Sequence, residues 1–276
     1  MKFSDLSLTF NRALLLSLDR KKWLITFAVL AVFGLFAVFC RALAEHANHW
    51  VAMSLTFLPI FFSFGVLIAL GVILIRGYHN EIKKKEVDYY KILSQSWETM
   101  LGAAYFTIPV ILLYLILWML LGMFLLLSTL PSIGEFFAVI LIFAPFLINL
   151  ATLLLCTLVL GTLFFITPVI AFKGFSHSLV SQILSKRFQE DIFSHIFLFL
   201  IGVLPCIFYV GFLFLAAVMT GNICLSCKDL LQTVLQWFFM MIPFAFLLAP
   251  AVVFFFNFAA EAHVLMQKES SRRMRM

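Results

Sequence analysis

Charge is what this sequence has least of. Only 12% of its 276 residues are charged, whereas 64% are apolar and 35 are Phe. A soluble domain of this length hides about 75% of the surface that its unfolded chain exposes, which is too little to bury so apolar a chain. The long apolar runs lack the alternation of barrel strands, and helices satisfy their own backbone groups in lipid. The composition therefore predicts an all-α, polytopic membrane helix bundle.

Catalytic motifs are also missing. The sequence has no phosphate-binding glycine loop, no zinc-protease helix, no Gly-x-Ser-x-Gly and no soluble segment large enough to carry them. We expect a protein that is not an enzyme and that uses no cofactor and no metal. The net charge of +6 comes from short basic clusters beside apolar helices, so it predicts membrane orientation and not nucleic-acid binding.

The apolar runs predict six transmembrane helices, at residues 23–44, 50–75, 101–130, 136–172, 192–220 and 234–265. Seventeen Lys and Arg residues then lie on one side of the membrane and two, Arg41 and Lys228, on the other. The positive-inside rule places both termini in the cytoplasm. In one alternative, a signal peptidase cleaves after Ala44 and leaves five spans; the long region before Trp23 favours a retained first span.

An internal repeat divides the single membrane domain 1–276. Residues 70–78 match residues 167–175 position by position, each segment ending in a basic residue, Gly and an aromatic residue. Residues 92–94 and 183–185 both read Ile-Leu-Ser. We predict three parallel units, about 1–79, 80–174 and 175–265, followed by a basic tail at 266–276. Each unit is a cytoplasmic amphipathic helix plus a transmembrane hairpin, although chance matching of apolar residues is the alternative.

The amphipathic helices are predicted from apolar residues at helical spacing. In the first unit this stripe is Phe3, Leu6, Phe10, Ala13 and Leu14; in the second it is Tyr89, Ile92, Leu93, Trp97 and Met100; in the third it is Leu179, Val180, Ile183, Leu184 and Phe188. Such helices lie in the membrane interface, where nearby lysines meet anionic lipid of the cytoplasmic leaflet. The predicted partners are therefore membrane lipids and other membrane proteins, with simple covering of the bundle ends as the alternative.

The segment 168–188 has a proline-containing span end that leads into an amphipathic helix with spaced Ser and Lys residues. It resembles a diffuse group of bacterial inner-membrane proteins, which includes the YciC-like proteins and the membrane domain attached to some glycerophosphodiester phosphodiesterases. The resemblance implies a six-helix fold in a bacterial inner membrane. Lys173 departs from the acidic or polar residue expected there, no phosphodiesterase domain is present, and the group supplies no catalytic residues.

Few polar residues lie within the spans. Asn257, Glu261 and His263 lie near the end of the last span, where they form either a polar pocket or a helix end that reaches the interface. Asn149 and Thr152 lie in the fourth span, which is too long for one simple crossing. We expect Pro145 to break that span and Asn149 to lie near the break, as in transporter helices, or to bond a neighbouring helix.

Cys224 and Cys227 form a C-x-x-C in the longest external loop. In an oxidising compartment they are a candidate disulfide, while a redox role needs a partner site that the sequence does not offer. Glu45, His46 and His49 share that side, but their spacing is too loose to predict a metal site.

Three functions follow from these features. The first is a non-enzymatic protein that organises or assembles the envelope through lipid or protein contacts, favoured by the scarcity of buried charge. The second is a transporter or channel for a small solute, favoured by the repeats and the irregular fourth span. The third is a thiol-redox protein that uses Cys224 and Cys227.

Overall fold

The computed structural model of the chain describes residues 3–44, 49–85, 107–128, 134–174, 192–220 and 230–273, with single positions at 47, 89, 91, 92, 94, 102, 105 and 182. Helices account for nearly all of these residues, and none of them is in a strand. The elements are α1 (Phe3–Leu15), a 3-10 turn (Leu16–Leu18), α2 (Arg20–Ala44), α3 (His49–Ile82), α4 (Thr107–Ser128), α5 (Gly134–Lys173), α6 (Ile192–Met219) and α7 (Leu230–Arg273).

Six of the described helices are long and apolar enough to cross a membrane, which confirms the predicted multi-pass bundle. Their spanning segments are Arg20–Ala44, Ser54–Ile82, Thr107–Ser128, Phe143–Lys173, Phe193–Met219 and Val234–Lys268. The second span is longer than predicted, because α3 continues past Ile75 to Ile82. Arg76 and Gly77 therefore lie inside a helix and not at its exit.

The six spans form an inner and an outer group. Within an 18-residue stretch of each span, 67% of α3 and 50% of α5 is buried, against 17% in each of α2, α4 and α6. In α7 the share is 28%, and its buried residues gather in the later half, from Val253 to His263. Among these helices, α3, α5 and α7 touch one another, α2 packs on α3 and α7, α4 packs on α3 and α5, and α6 packs on α7.

The later halves of α3, α5 and α7 run parallel through this centre. Gly71 of α3 meets both Thr167 of α5 and Phe256 of α7, since a Cβ placed on this glycine would come within 2.7 Å of the Thr167 methyl and 2.3 Å of the Phe256 ring. Only a residue without a side chain allows so close an approach. The three helices then end together at one end of the bundle, where α1 and the start of α2 also lie; we call it the terminal end.

Prolines within the spans free backbone carbonyls that other residues occupy. Pro250 has no N–H to donate to the carbonyl of Phe246, four residues earlier. The indole N–H of Trp23 donates to that carbonyl at 2.8 Å, and the Trp23 and Phe246 rings lie 4.4 Å apart. The Phe246 carbonyl that Pro250 leaves without a helical partner thus holds the beginning of α2 against α7.

Pro145 does not break the fourth span, so that prediction is wrong. The helix α5 runs without interruption for 40 residues, through both Pro145 and Pro168. A proline removes one helical hydrogen bond, which a membrane helix tolerates when its neighbours compensate. At about 1.5 Å per residue the helix is roughly 60 Å long, so it extends beyond the hydrocarbon core instead of turning back within it.

The two matching segments of the predicted repeat end differently. At the end of α5, Gly174 adopts φ +80° and its N–H donates to the carbonyl of Ile170 at 3.0 Å, a left-handed helix cap. Arg76 of α3 donates to the orphan carbonyl of Ala171 at 3.1 Å. In α3 the corresponding Gly77 is helical and packs against Tyr89. A Cβ placed on Gly77 would lie 3.0 Å from the Tyr89 ring. The two matching segments are therefore neighbours in the core, but α5 ends at its glycine whereas α3 continues through the corresponding one.

Candidate functional site

The helix α1 is amphipathic and docks on α7 by its apolar side. Leu6 and Ala13 are buried, and the ring of Phe10 lies 5.3 Å from that of Phe254 and 6.0 Å from that of Phe258. These three positions confirm part of the predicted stripe, which covers α7 as in the alternative of bundle-end covering and does not face lipid. The side chain of Phe3 lies outside the described residues. The prediction is wrong for Leu14, whose side chain is exposed, because it lies roughly 100° around the helix from Ala13.

An ion pair connects α1 to the last span. Arg12 Nη2 lies 2.6 Å from Glu261 Oε1, and the hydroxyl of Tyr78 donates to the same oxygen at 2.7 Å. The Glu261 side chain is 5% exposed, whereas that of Arg12 is 39% exposed. The hydrogen bond to Glu261 raises the pKa of Arg12, so this cation persists at any physiological pH. Three elements, α1, α3 and α7, therefore meet at one carboxylate oxygen.

Asn257 adds a second bond between α1 and α7, one helical turn before Glu261. Its side-chain amide donates to the carbonyl of Ala13 at 3.5 Å, near the end of α1 where helical carbonyls have no partner of their own. Asn257 is fully buried. Because residues four apart share a helix face, Asn257 and Glu261 present one polar edge of α7 to α1.

A second ion pair lies between α2 and α3. The Lys22 ammonium donates to Glu81 Oε2 at 2.5 Å and to the carbonyl of Leu16 at 3.5 Å. The Lys22 side chain is fully buried, and that of Glu81 is 19% exposed. A buried lysine keeps its charge only where a partner compensates for the lost water, and Glu81 provides that charge.

Tyr78 lies between the two ion pairs. The Lys22 ammonium is 5.2 Å from the centroid of its ring, and the ring hydroxyl bonds Glu261. Tyr89 extends the second pair, donating to Glu81 Oε1 at 3.4 Å, and burial raises the pKa of Tyr89, so its hydroxyl stays protonated and remains a donor. We refer to Arg12, Lys22, Tyr78, Glu81 and Glu261 as the ionic network.

The ionic network balances its own charge. It holds two cations and two carboxylates, and each charge has a partner of opposite sign within 2.6 Å. Such an arrangement fixes the positions of α1, α2, α3 and α7 relative to one another.

The predicted polar pocket is only partly assembled. Asn257 and Glu261 come together against α1, and both are buried, as is His263. His263 points elsewhere, since its ring lies 5.6 Å from that of Phe172 on α5. The burial of Glu261 and His263 favours a polar cluster over a helix end reaching out to the interface.

Asn149 and Thr152 do not join this cluster. Thr167 of α5 lies at the same depth in the bundle as Phe256 of α7, because Gly71 contacts both residues. Asn149 and Thr152 precede Thr167 by four to five helical turns, or roughly 22–27 Å. The buried Thr152 hydroxyl donates to the carbonyl of Ile148 in its own helix at 2.7 Å. Thr152 thus satisfies itself locally, and Asn149 lies at another level of the bundle.

Several members of the ionic network were not predicted as site residues. Arg12 and Lys22 counted only as orienting charges, Tyr78 only as the aromatic end of the repeat segment 70–78, and Glu81 carried no signal of its own. The bond from Tyr78 to Glu261 joins residues 183 positions apart, so no local spacing reveals it. One signal in the sequence could have indicated the ionic network. Acidic residues are scarce in and near the spans, and each carboxylate there requires a cation close by, so each predicts an ion pair.

The candidate disulfide and the loosely spaced metal ligands lie outside the described residues. Cys224, Cys227, Glu45 and His46 belong to segments that the structure leaves undescribed, as does the side chain of His49. The described cysteines Cys40, Cys156 and Cys206 are free thiols that are buried or half-buried.

The outer surface of the terminal end is basic and, on α1, apolar. Among the described side chains, eight Lys and Arg residues are exposed there, namely Arg20, Lys21, Lys83, Lys84, Lys85, Lys91, Lys173 and Lys268. The four acids with described side chains, Asp5, Asp19, Glu81 and Glu261, are all half-buried or buried. Leu8 and Leu15, on the side of α1 away from α7, are 62% and 74% exposed, and Leu18 in the following turn is 65% exposed. This helix therefore presents leucines next to cations.

Comparison of the chain with protein-family models, with curated proteins and with solved structures finds no match.

Proposed function

We propose that this protein is a non-catalytic, multi-pass protein of the bacterial cytoplasmic membrane that supports envelope organisation or assembly through contacts with lipid or with other membrane proteins. The observation that carries the proposal is the outward side of α1. Its leucines face away from the bundle, next to the exposed cations Arg20 and Lys21. A helix with an apolar outer side and basic neighbours binds the interface of an anionic leaflet.

The charge distribution supports a cytoplasmic position for the terminal end. Its eight exposed cations face outward without an exposed acid among the described side chains. The positive-inside rule assigns such an end to the cytoplasm, and with it both termini. The resemblance of residues 168–188 to YciC-like proteins supports the bacterial inner membrane.

The arrangement of the spans supports three related units. In each hairpin the second helix, α3, α5 or α7, lies toward the centre, and the first, α2, α4 or α6, lies toward the outside. The first unit has a described amphipathic helix, α1. For the second, Tyr89 and Ile92 of the predicted stripe are half-buried and buried, and Lys91 between them is exposed. The third lies outside the described residues apart from Gln182.

A transporter or channel is the second candidate, and two observations weigh against it. The described core is filled by aromatic and aliphatic side chains, among them Phe61, Phe64, Phe164, Phe256 and Phe258. Asn149 and Asn257, two polar span residues that could line a solute pathway, lie at different levels of the bundle. A thiol-redox function would depend on Cys224 and Cys227.

The decisive experiment replaces the chromosomal copy of the gene by the variant L8S/L15S, which makes the outward side of α1 polar. We expect several-fold higher uptake of a hydrophobic dye through the envelope, similar to that of a deletion strain, because the helix no longer partitions into the interface. The matched control, L43S/L235S, changes two exposed leucines, 49% and 48% accessible, at the opposite end of the bundle. It should leave dye uptake unchanged.

A parallel measurement addresses transport. Vesicles containing the purified protein should pass small solutes at the rate of protein-free vesicles. A faster, saturable flux would establish the transporter instead, and normal dye uptake in the deletion strain would remove the organising function.

A further inference from the structure

The outward side of α1 and the turn after it carry a shallow, open depression, which we call the groove. Ser7, Asn11 and Leu15 follow one another at intervals of four residues, and Leu8, Arg12 and Leu16 form the neighbouring row. Residues four apart on a helix lie above one another, so the two rows stand side by side. Together these six side chains line the groove.

The two rows combine hydrogen-bond donors with hydrocarbon. The Ser7 hydroxyl, the Asn11 amide and the Arg12 guanidinium all donate, and none of them carries negative charge. Leu8, Leu15 and Leu16 are purely apolar. A ligand that matches the groove has an anionic group rich in oxygen joined to an alkyl chain.

Arg12 faces both the bundle and the groove. One of its terminal nitrogens pairs with Glu261 at 2.6 Å, yet 39% of its side chain is exposed. The planar guanidinium has five N–H donors in a fixed fork, so the pair with Glu261 leaves donors for a second anion. Arginine is over-represented at phosphate-binding sites because its guanidinium can donate two parallel hydrogen bonds to phosphate oxygens.

We infer that the groove binds an anionic phospholipid, with the phosphate against Ser7, Asn11 and Arg12 and an acyl chain along Leu8 and Leu15. Charge complementarity supports this occupant, because Arg20 and Lys21 are exposed just beyond the end of α1. The nearby acids are less accessible, since Asp5 and Asp19 are half-buried and Glu261 is buried. The Leu15 end of the groove adjoins the turn at Leu16–Leu18, directly before α2 begins its span. The inference rests on the proposed contact of α1 with lipid and specifies it.

The test measures lipid that the full-length protein retains on purification from membranes containing phosphatidylglycerol and phosphatidylcholine, using native mass spectrometry. The variant N11D is isosteric and places a carboxylate in the groove. We expect its apparent affinity for phosphatidylglycerol to fall about tenfold or more, because it exchanges a hydrogen bond to a charged group for a repulsion. S7D, one turn earlier in the same row, should act alike if N11D proves poorly folded.

The matched control is K83Q, which changes the charge of the terminal end by the same single unit at an exposed residue outside the groove. It should retain phosphatidylglycerol as the wild type does. Equal losses in N11D and K83Q would mean diffuse attraction to the surface and would overturn the inference, as would equal retention of phosphatidylcholine. Displacement of the lipid by glycerol 3-phosphate at the same concentration would also overturn it, since the groove would then bind soluble phosphate.

The two proposals can fail separately. If N11D loses phosphatidylglycerol while L8S/L15S cells keep a normal envelope barrier, the lipid site stands and the organising function does not. If the barrier fails in L8S/L15S cells but N11D retains its lipid, α1 acts through its leucines and the groove is not the site.

Discussion

The ammonium nitrogen of Lys22 lies 5.2 Å from the centroid of the Tyr78 ring, and the hydroxyl of the same ring donates to Glu261 at 2.7 Å. One side chain therefore touches a cation with its face and a carboxylate with its edge. The ion pair of α2 with α3 and that of α1 with α7 are consequently two parts of one structure. Their separate contributions can be measured by substitution.

Replacing Glu261 by Gln should lower the free energy of unfolding by about 2 kcal/mol. Breaking a fully buried pair costs about 3–5 kcal/mol, and here 39% of the Arg12 side chain is exposed, which reduces the cost. Denaturant titration in detergent micelles measures the change. A double-mutant cycle with R12Q should show non-additive losses, whereas additive losses would mean that the two residues do not interact in solution.

Replacing Lys22 by Met should cost about 3 kcal/mol, because Glu81 is left in a largely buried site without its cation. The double variant K22M/E81Q removes both charges and should recover most of that loss. Thermal unfolding of both proteins in the same detergent provides the comparison. If the double variant is less stable than K22M, the pair is not the reason for the burial of Lys22.

Replacing Gly71 by Ala should cost about 1–3 kcal/mol, since its new methyl group would overlap the Phe256 ring and the Thr167 methyl. Gly211 is the matched control in α6, because a Cβ added there has no neighbour within 4 Å. G211A should be neutral or more stable by up to about 1 kcal/mol, the difference in helix propensity. Equal unfolding midpoints for the two variants would contradict the close approach of α3, α5 and α7.

The orientation of the chain predicts a labelling pattern. In a variant lacking the five native cysteines, Ala47→Cys should react with an impermeant maleimide on intact spheroplasts and Lys84→Cys should not. The two positions differ because they flank opposite ends of α3 and so lie on opposite sides of the membrane. Both should react once the membrane is permeabilised, because the reagent then reaches both sides. Labelling of Lys84→Cys in intact spheroplasts would reverse the proposed orientation.

The sequence predicts the six spans because apolar length follows directly from the thickness of the bilayer. The same reasoning ends α3 too early at Ile75, since Arg76 looks like a boundary although its guanidinium bonds a carbonyl of α5. Pro145 misleads for a related reason. A proline is a strong signal against a soluble helix but a weak one in lipid, where leaving the helix would expose more backbone.

The candidate site was predictable only where its residues share one helix. Asn257 and Glu261 are four residues apart, so their common face is visible in the sequence. Arg12 and Tyr78 reach Glu261 from distant parts of the chain, and only the packing of α1 and α3 against α7 brings them together. Asn149 shows the converse, because a polar residue in a span says nothing about its depth relative to others.

The bond between Ala13 and Asn257 also sets an order of events during synthesis. These residues are 244 positions apart, so at about 5–20 residues per second the partner of α1 leaves the ribosome roughly 12–50 s after α1 itself. During that interval the apolar side that later meets α7 has no protein to cover it. The membrane surface is then the natural place for α1 to wait, and α1 reaches its final position only after the much later α7 has been made.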